Sequence, residues 1–223
     1  MSDPTGGKRQ IKTLADLADV AQLGDEGKQL LKPEHTPHQY LVALTDAGQH
    51  ANAIRLVAHA LPRREGVWWA WATAKKASGA EPAPKVKGAL DATERWISQP
   101  TEENRRTAMA RAEAVGFNTP AGCAALAAFL SGPTVAPPHI EQPVPPPDYA
   151  AAKAITGAIL TSAVATEPDK ATDKMLAALT QGLEVIAKIK LWPGSEAAKL
   201  GAPAPPAPPP PALPPPKPKT WER

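Results

Sequence analysis

Apolar residues recur along this chain every three or four positions, the period of one helix face, and nowhere alternate in the manner of a strand. Thr13 predicts the cap of a first helix with Leu14, Leu17 and Ala21 on one face, and after Gly24 a short turn carries Leu30 and Leu31 to Pro33. The run Thr36-Pro37-His38-Gln39 is a start signal. It supplies a hydroxyl for the N-cap, a ring with fixed φ for the first helical position and an amide for the reciprocal capping bond. The helix so opened is expected to bury Tyr40, Leu41, Leu44 and Ala47 and to stop at Gly48, which suits a left-handed C-terminal position. Ile54, Val57 and Leu61 form the next stripe, which halts before Pro62.

Pro62 predicts the opening of a helix that runs to about Ser78 and holds Trp68, Trp69 and Trp71. Val86, Ala89, Leu90, Thr93 and Ile97 mark another helix, closed by Pro100. Thr101 caps the following one, with Glu102 and Glu103 in its first turn, where carboxylates offset the positive helix end, and Gly116 as its terminator. Thr119-Pro120 repeats the start signal for an alanine-rich helix containing Cys123 and Phe129. Prolines then crowd residues 133–147, and two more helices follow over 149–165 and 169–190, the second with Leu176, Leu179, Leu183 and Ile186 spaced by three and four.

These elements predict an all-α fold, a compact multi-helix array of antiparallel or angled helix pairs, because connections this short force consecutive helices together. Residues 1–12 are expected to be a disordered N-terminus and 13–131 a helical domain with the tryptophans. A Pro-rich bridge over 132–147 leads to a C-terminal helical pair, 148–193, packing on or beside the first lobe. Residues 194–223 are expected to be a disordered tail of polyproline character, since 203–219 lacks the apolar material to fold.

Composition narrows the function classes. The net charge is +3, and Lys217, Lys219 and Arg223 set against Glu222 put most of that excess in the tail, which argues against a nucleic-acid partner. One cysteine, Cys123, excludes an intramolecular disulfide framework and any multi-cysteine metal site, and fits a reducing, cytoplasmic compartment. The N-terminus reads as no signal peptide. The most apolar stretch, 154–165, is flanked by Lys153 and Glu167 and falls well short of the roughly 20 residues needed to span a bilayer, so a buried helix is expected there and no membrane insertion.

Catalytic signatures do not appear: there is no phosphate-binding glycine loop and no nucleophile elbow. His35, His38, His50 and His59 lack the spacing of a zinc site, so no metal and no cofactor are expected. Cys123, in an apolar helix, reads as an inert core residue. Arg105, Arg106 and Arg111 interleave with Glu102, Glu103 and Glu113, a pattern of ion pairs along a helix.

The segment from Leu61 to Trp71 is therefore the candidate site, as structural anchor or interaction surface, through Arg63, Arg64, Glu65, Trp68, Trp69 and Trp71. Helical geometry turns Trp69 about 100° from Trp68, so the three indoles cannot share one face. Val67, Trp71 and Ala74 are expected to form the core stripe, leaving Trp68 or Trp69 to cover a neighbouring helix or meet a partner. Two arginines in a first turn oppose the helix dipole unless paired, and Arg64 is expected to bridge to an acidic residue of an adjacent helix. In the tail, Pro214, Lys217 and Trp221 are the candidate interaction residues.

Several of these stretches carry a likeness. Leu-Leu-Lys-Pro at 30–33, Thr-Pro at 36–37, Ala-His-Ala-Leu-Pro-Arg-Arg-Glu at 58–65, Val-Trp-Trp at 67–69, Thr-Glu-Glu-Asn-Arg-Arg at 101–106 and Thr-Pro-Ala-Gly-Cys-Ala-Ala-Leu-Ala-Ala-Phe at 119–129 are the ones concerned. From about Leu14 to Leu191 the chain resembles an uncharacterised bacterial helical family known by a Leu-Pro-x-Arg-Glu-x-Val-Trp-Trp motif and associated with type VI secretion gene neighbourhoods. Gly66 stands where that pattern has Ala, which is expected to loosen the helix, and Trp71 with Thr73 replaces a Cys-containing run. The resemblance implies an accessory of a secretion system with protein partners, and it carries no catalytic residues. The expected function is a non-catalytic helical interaction or adaptor protein; the alternative is a small-ligand or enzymatic cleft lined by Arg64, Glu65, His59 and a tryptophan. Oligomeric state stays open.

Overall fold

The computed structural model describes residues 13–192. Among the described residues there are ten α-helices and no strand: α1 Leu14–Val20, α2 Asp25–Gln29, α3 Pro37–Asp46, α4 His50–Ala60, α5 Arg63–Ala77, α6 Pro84–Ser98, α7 Glu102–Val115, α8 Pro120–Leu130, α9 Ala150–Val164 and α10 Ala171–Lys188, the last entered through a 3-10 turn at Pro168–Lys170. The expectations for 1–12 and 194–223, and with them Pro214, Lys217 and Trp221, lie outside the described residues.

Threonine hydroxyls set the helix starts. Thr13 accepts from the Asp16 amide and Thr36 from the Gln39 amide, each answered by the partner side chain to complete a capping box; Thr101 and Thr119 accept from the Asn104 and Gly122 amides. At the other ends, Gly48 (φ 72°) and Gly116 (φ 92°) take the left-handed geometry that a side chain resists. Ala47, expected in the core, is exposed, because α3 ends at Asp46 and the chain turns outward there.

One hydrophobic cluster runs from Leu17 to Trp192. The alanine-rich α8 sits within it, packed on α5, α6, α7 and α9, and its small side chains bring those helices close. α9 is buried along Ala151, Ala154, Ile155, Ala158 and Ile159 against α4, α5 and α8. α5 is touched by α6, α8, α9 and α10, so elements before and after the proline bridge meet on the tryptophan helix. Gly66 is part of that meeting: a Cβ there would lie 2.7 Å from Ile155 Cδ1, so the missing methyl makes room for α9.

The bridge of residues 131–147 doubles back. The Val135 amide donates to the Val144 carbonyl at 2.7 Å, and the Thr134 hydroxyl accepts from the amides of Ala136 and Val144. Prolines have no N–H to offer, and the carbonyls of Ser131, Thr134 and Ala136 in this strap take donors from arginines instead. Arg105, only 2% exposed, reaches the carbonyls of Phe129 at 2.6 Å and Thr134 at 2.9 Å, while Arg106 reaches that of Ala136 at 2.5 Å. Both arginines also hold Glu102, Arg105 in a two-pronged pair at 2.6 Å and Arg106 at 2.7 Å. Their guanidinium groups keep the Glu102 carboxyl at about 2, well below the usual carboxylate range.

Candidate functional site

The first turn of α5 carries three charged side chains in succession, and Pro62 before it offers no side-chain cap. Arg64 does not bridge to a carboxylate. Its Nε donates to the Ile97 carbonyl at 2.7 Å, and Nη2 lies 3.5 Å from that of Ser98. Arg63 donates through Nη1 to the Ser131 carbonyl at 2.9 Å. These acceptors close α6 and α8, where the last carbonyls of a helix have no partner of their own and carry its negative end. Two cations in the first turn of α5 are thus tolerated because the negative ends of two neighbours face them. The acceptors are backbone atoms, which no pattern of acidic residues advertises.

The indoles also divide differently from the expected stripe. Val67, Trp69, Ala70 and Ala74 are fully buried, Trp71 is half-buried at the edge and Trp68 is 36% exposed. Trp69 rather than Trp71 enters the core because α10 approaches that side. Its Nε1 donates to the Ala178 carbonyl at 2.8 Å, and a Cβ at Gly182 would come within 3.0 Å of the indole carbons Cε2 and Cζ2. Trp71 donates to the Leu90 carbonyl at 3.1 Å, with the Lys75 ammonium 4.5 Å above its ring. Trp68 Nε1 makes no hydrogen bond among the described residues.

Trp68 lies in a groove of about 450 Å³ between α5, α6 and α10. Ile97, Val185 and Ile189 give it apolar wall, and Arg64, Glu65, Glu184 and Lys188 bring charges of both signs. Such a surface fits an apolar side chain flanked by polar contacts, the anatomy of a protein interface. His59 takes no part in it. That residue lines a separate cavity with Arg63 on the other side of the α5 entry, so the cleft expected from Arg64, Glu65, His59 and a tryptophan is two depressions with no lining residue in common.

The remaining candidate chemistry is accounted for by packing. Cys123 is buried, its thiol donates to the Phe117 carbonyl at 2.9 Å, and burial pushes that thiol's pKa up, away from a reactive thiolate. Among the described residues no three His, Cys, Asp or Glu side chains converge in a way that could hold a metal ion. No helix among them is long and apolar enough to cross a membrane. Sequence reasoning missed Arg105 as an anchor: its pairing with Glu102 was readable from the three-residue spacing, but its burial against Phe129 and the strap was not.

No curated protein and no solved structure matches the chain. A family model does, over residues 40–186, a span that takes in most of α3 and everything to the last turn of α10. Tyr40, the arginine pair, the three indoles and the arginine-held strap all fall inside that span, and the chain belongs to the family of unknown function DUF6931.

Proposed function

We propose that this protein is a non-catalytic helical interaction module that receives a partner segment in the groove around Trp68. The exposure of Trp68 carries the reading: of three clustered indoles, two are engaged by packing and by carbonyl acceptors, and the third is left in a groove with apolar wall and mixed charge. Tryptophan is the side chain most often found as the anchor of an interface. The tail residues Pro214, Lys217 and Trp221 supply a second recognition segment in the same reading. The partner is a protein, the setting is the cytoplasm, and the motif resemblance supports a role as accessory of a bacterial type VI secretion system. A buried thiol and the absence of a second cysteine support a reducing compartment.

The test is affinity capture from the source cells by the full chain, by Trp68→Ala and by a chain lacking residues 201–223. A specific protein should be recovered by the full chain and lost from Trp68→Ala at unchanged melting temperature. Equal recovery by both, or none by either, removes the groove from the account.

A further inference from the structure

A cavity of about 400 Å³ lies between the end of α4, the end of α8 and the start of α9, within the roughly 300–1,000 Å³ typical of small-molecule sites. Three features of it lack an internal explanation. The first is the start of α9. Tyr149 precedes it at φ 57°, no side chain caps it, and its positive end faces the cavity through Ala150, Ala151 and Ala152. The Ala150 amide donates to the Pro147 carbonyl at 3.1 Å and the Lys153 amide to that of Tyr149, but the Ala151 and Ala152 amides have no acceptor among the described residues.

The second feature is His59, which is 9% exposed. Its Nδ1 is 2.8 Å from the Arg55 carbonyl, and since a carbonyl only accepts, Nδ1 carries the proton. That bond points back along α4, which turns the opposite edge of the ring away from its own helix, and Nε2 there is buried without a partner among the described residues. Burial, with the charges of Lys153 and Arg55 adding to it, holds the ring's pKa down, so Nε2 is a lone-pair acceptor waiting for a donor. Third, Arg63 lines the cavity while using one of its five donors on Ser131. Asp148 also lines it, and a doubly charged ligand would face that carboxylate.

We propose that this cavity binds a small, singly charged oxyanion that also carries a hydroxyl, its oxygens accepting from the Ala151 and Ala152 amides and Arg63 while its O–H donates to His59 Nε2. The chemistry is shared by the singly protonated form of a phosphate and by a hydroxycarboxylate. It is independent of the groove around Trp68.

The experiment is an NMR titration of the isotope-labelled full chain at slightly acidic pH, where phosphate is largely singly charged, with inorganic phosphate, glycolate, acetate and chloride at matched ionic strength. Phosphate or glycolate should give saturable shifts at the Ala151 and Ala152 amides and at His59 Nε2. The saturation point separates the two sources by affinity. Acetate, which has no hydroxyl, should bind about tenfold more weakly than glycolate, the loss of roughly one hydrogen bond, and chloride should not saturate. Arg63→Gln should weaken binding about tenfold or more, and Trp68→Ala should leave it unchanged, so failure here is distinct from failure at the groove. Acetate binding as tightly as glycolate overturns the role given to His59. Saturation by none of the oxyanions, or an Nε2 resonance already hydrogen-bonded in the ligand-free protein, overturns the site, and neither observation needs a variant to fold.

Discussion

Replacing Arg105 by Met separates the polar role of this side chain from its bulk. Met keeps an unbranched stem beneath the Phe129 ring, over which the guanidinium carbon sits at 4.6 Å, and beside Gly132, where a Cβ would come within 2.4 Å of Arg105 Cδ. What disappears is the donor set. The Phe129 carbonyl keeps only a long bond from the Gly132 amide at 3.3 Å, and a buried acceptor so stripped costs about 2 kcal/mol. The Thr134 carbonyl is partly open to water and costs about 1 kcal/mol. Glu102 adds about 0.5 kcal/mol at most, because its side chain is 55% exposed and Arg106 still holds it. The sum is about 3–3.5 kcal/mol, the low end for breaking a buried charged contact, since the charge left behind is not itself buried. With a urea slope of about 2 kcal/mol/M the midpoint should fall by about 1.5 M at unchanged slope. Residues 131–147 should become cleavable by a protease that leaves the parent intact. Arg105→Lys should recover only part of the loss, because an ammonium cannot serve two carbonyls and a carboxylate in one plane. A midpoint shift below about 0.5 M, or a strap no more cleavable than before, refutes the argument.

Other outcomes follow from the same contacts. Trp69→Ala should cost about 3–5 kcal/mol in chemical denaturation while Trp68→Ala stays below about 1 kcal/mol, and a reversal would mean that the wrong indole has been placed in the core. Gly182→Ala should destabilise by about 1 kcal/mol by differential scanning calorimetry, since the gain in helix propensity is smaller than the cost of pressing a methyl against the Trp69 ring; a higher melting temperature would show that α10 can give way. Acid should unfold the chain in two stages. His38 and His59 have folded pKa values lowered by burial, so the unfolded chain binds more protons and stability begins to fall below about pH 6.5. Glu102 is held at about 2 against an ordinary value of 4.5, so its contribution is whole above the latter and lost between the two. Stability flat from neutral pH down to 4 and below, read by denaturant midpoints, would contradict both. Thr36→Ala should cost about 1 kcal/mol through the lost capping box, checked the same way, with no change expected at Trp68.

The parts of the fold legible in the sequence are those whose cause is local. Thr13, Thr36, Thr101 and Thr119 cap helices with groups three residues away, and Gly48 and Gly116 turn the chain by their own freedom. The candidate site was legible only as a place. Which indole turns inward is decided by Gly182 and Ala178, more than a hundred residues along the chain, and which atoms Arg63 and Arg64 engage is decided by where α6 and α8 happen to end. A periodicity argument sees one face of a helix. α5 has neighbours on several sides, so its buried arc is wider than any single stripe, and the middle of that arc is Trp69 rather than Trp71.

The sequence separation of 109 between Trp69 and its acceptor at Ala178 has a consequence on the ribosome. At about 5–20 residues per second, synthesis of that interval takes roughly 5–20 s, during which the Trp69 indole has emerged without the helix that covers it. The emergence of α10, not the completion of α5, therefore marks the moment at which the Trp69 indole stops being open to chaperones that bind exposed aromatic side chains.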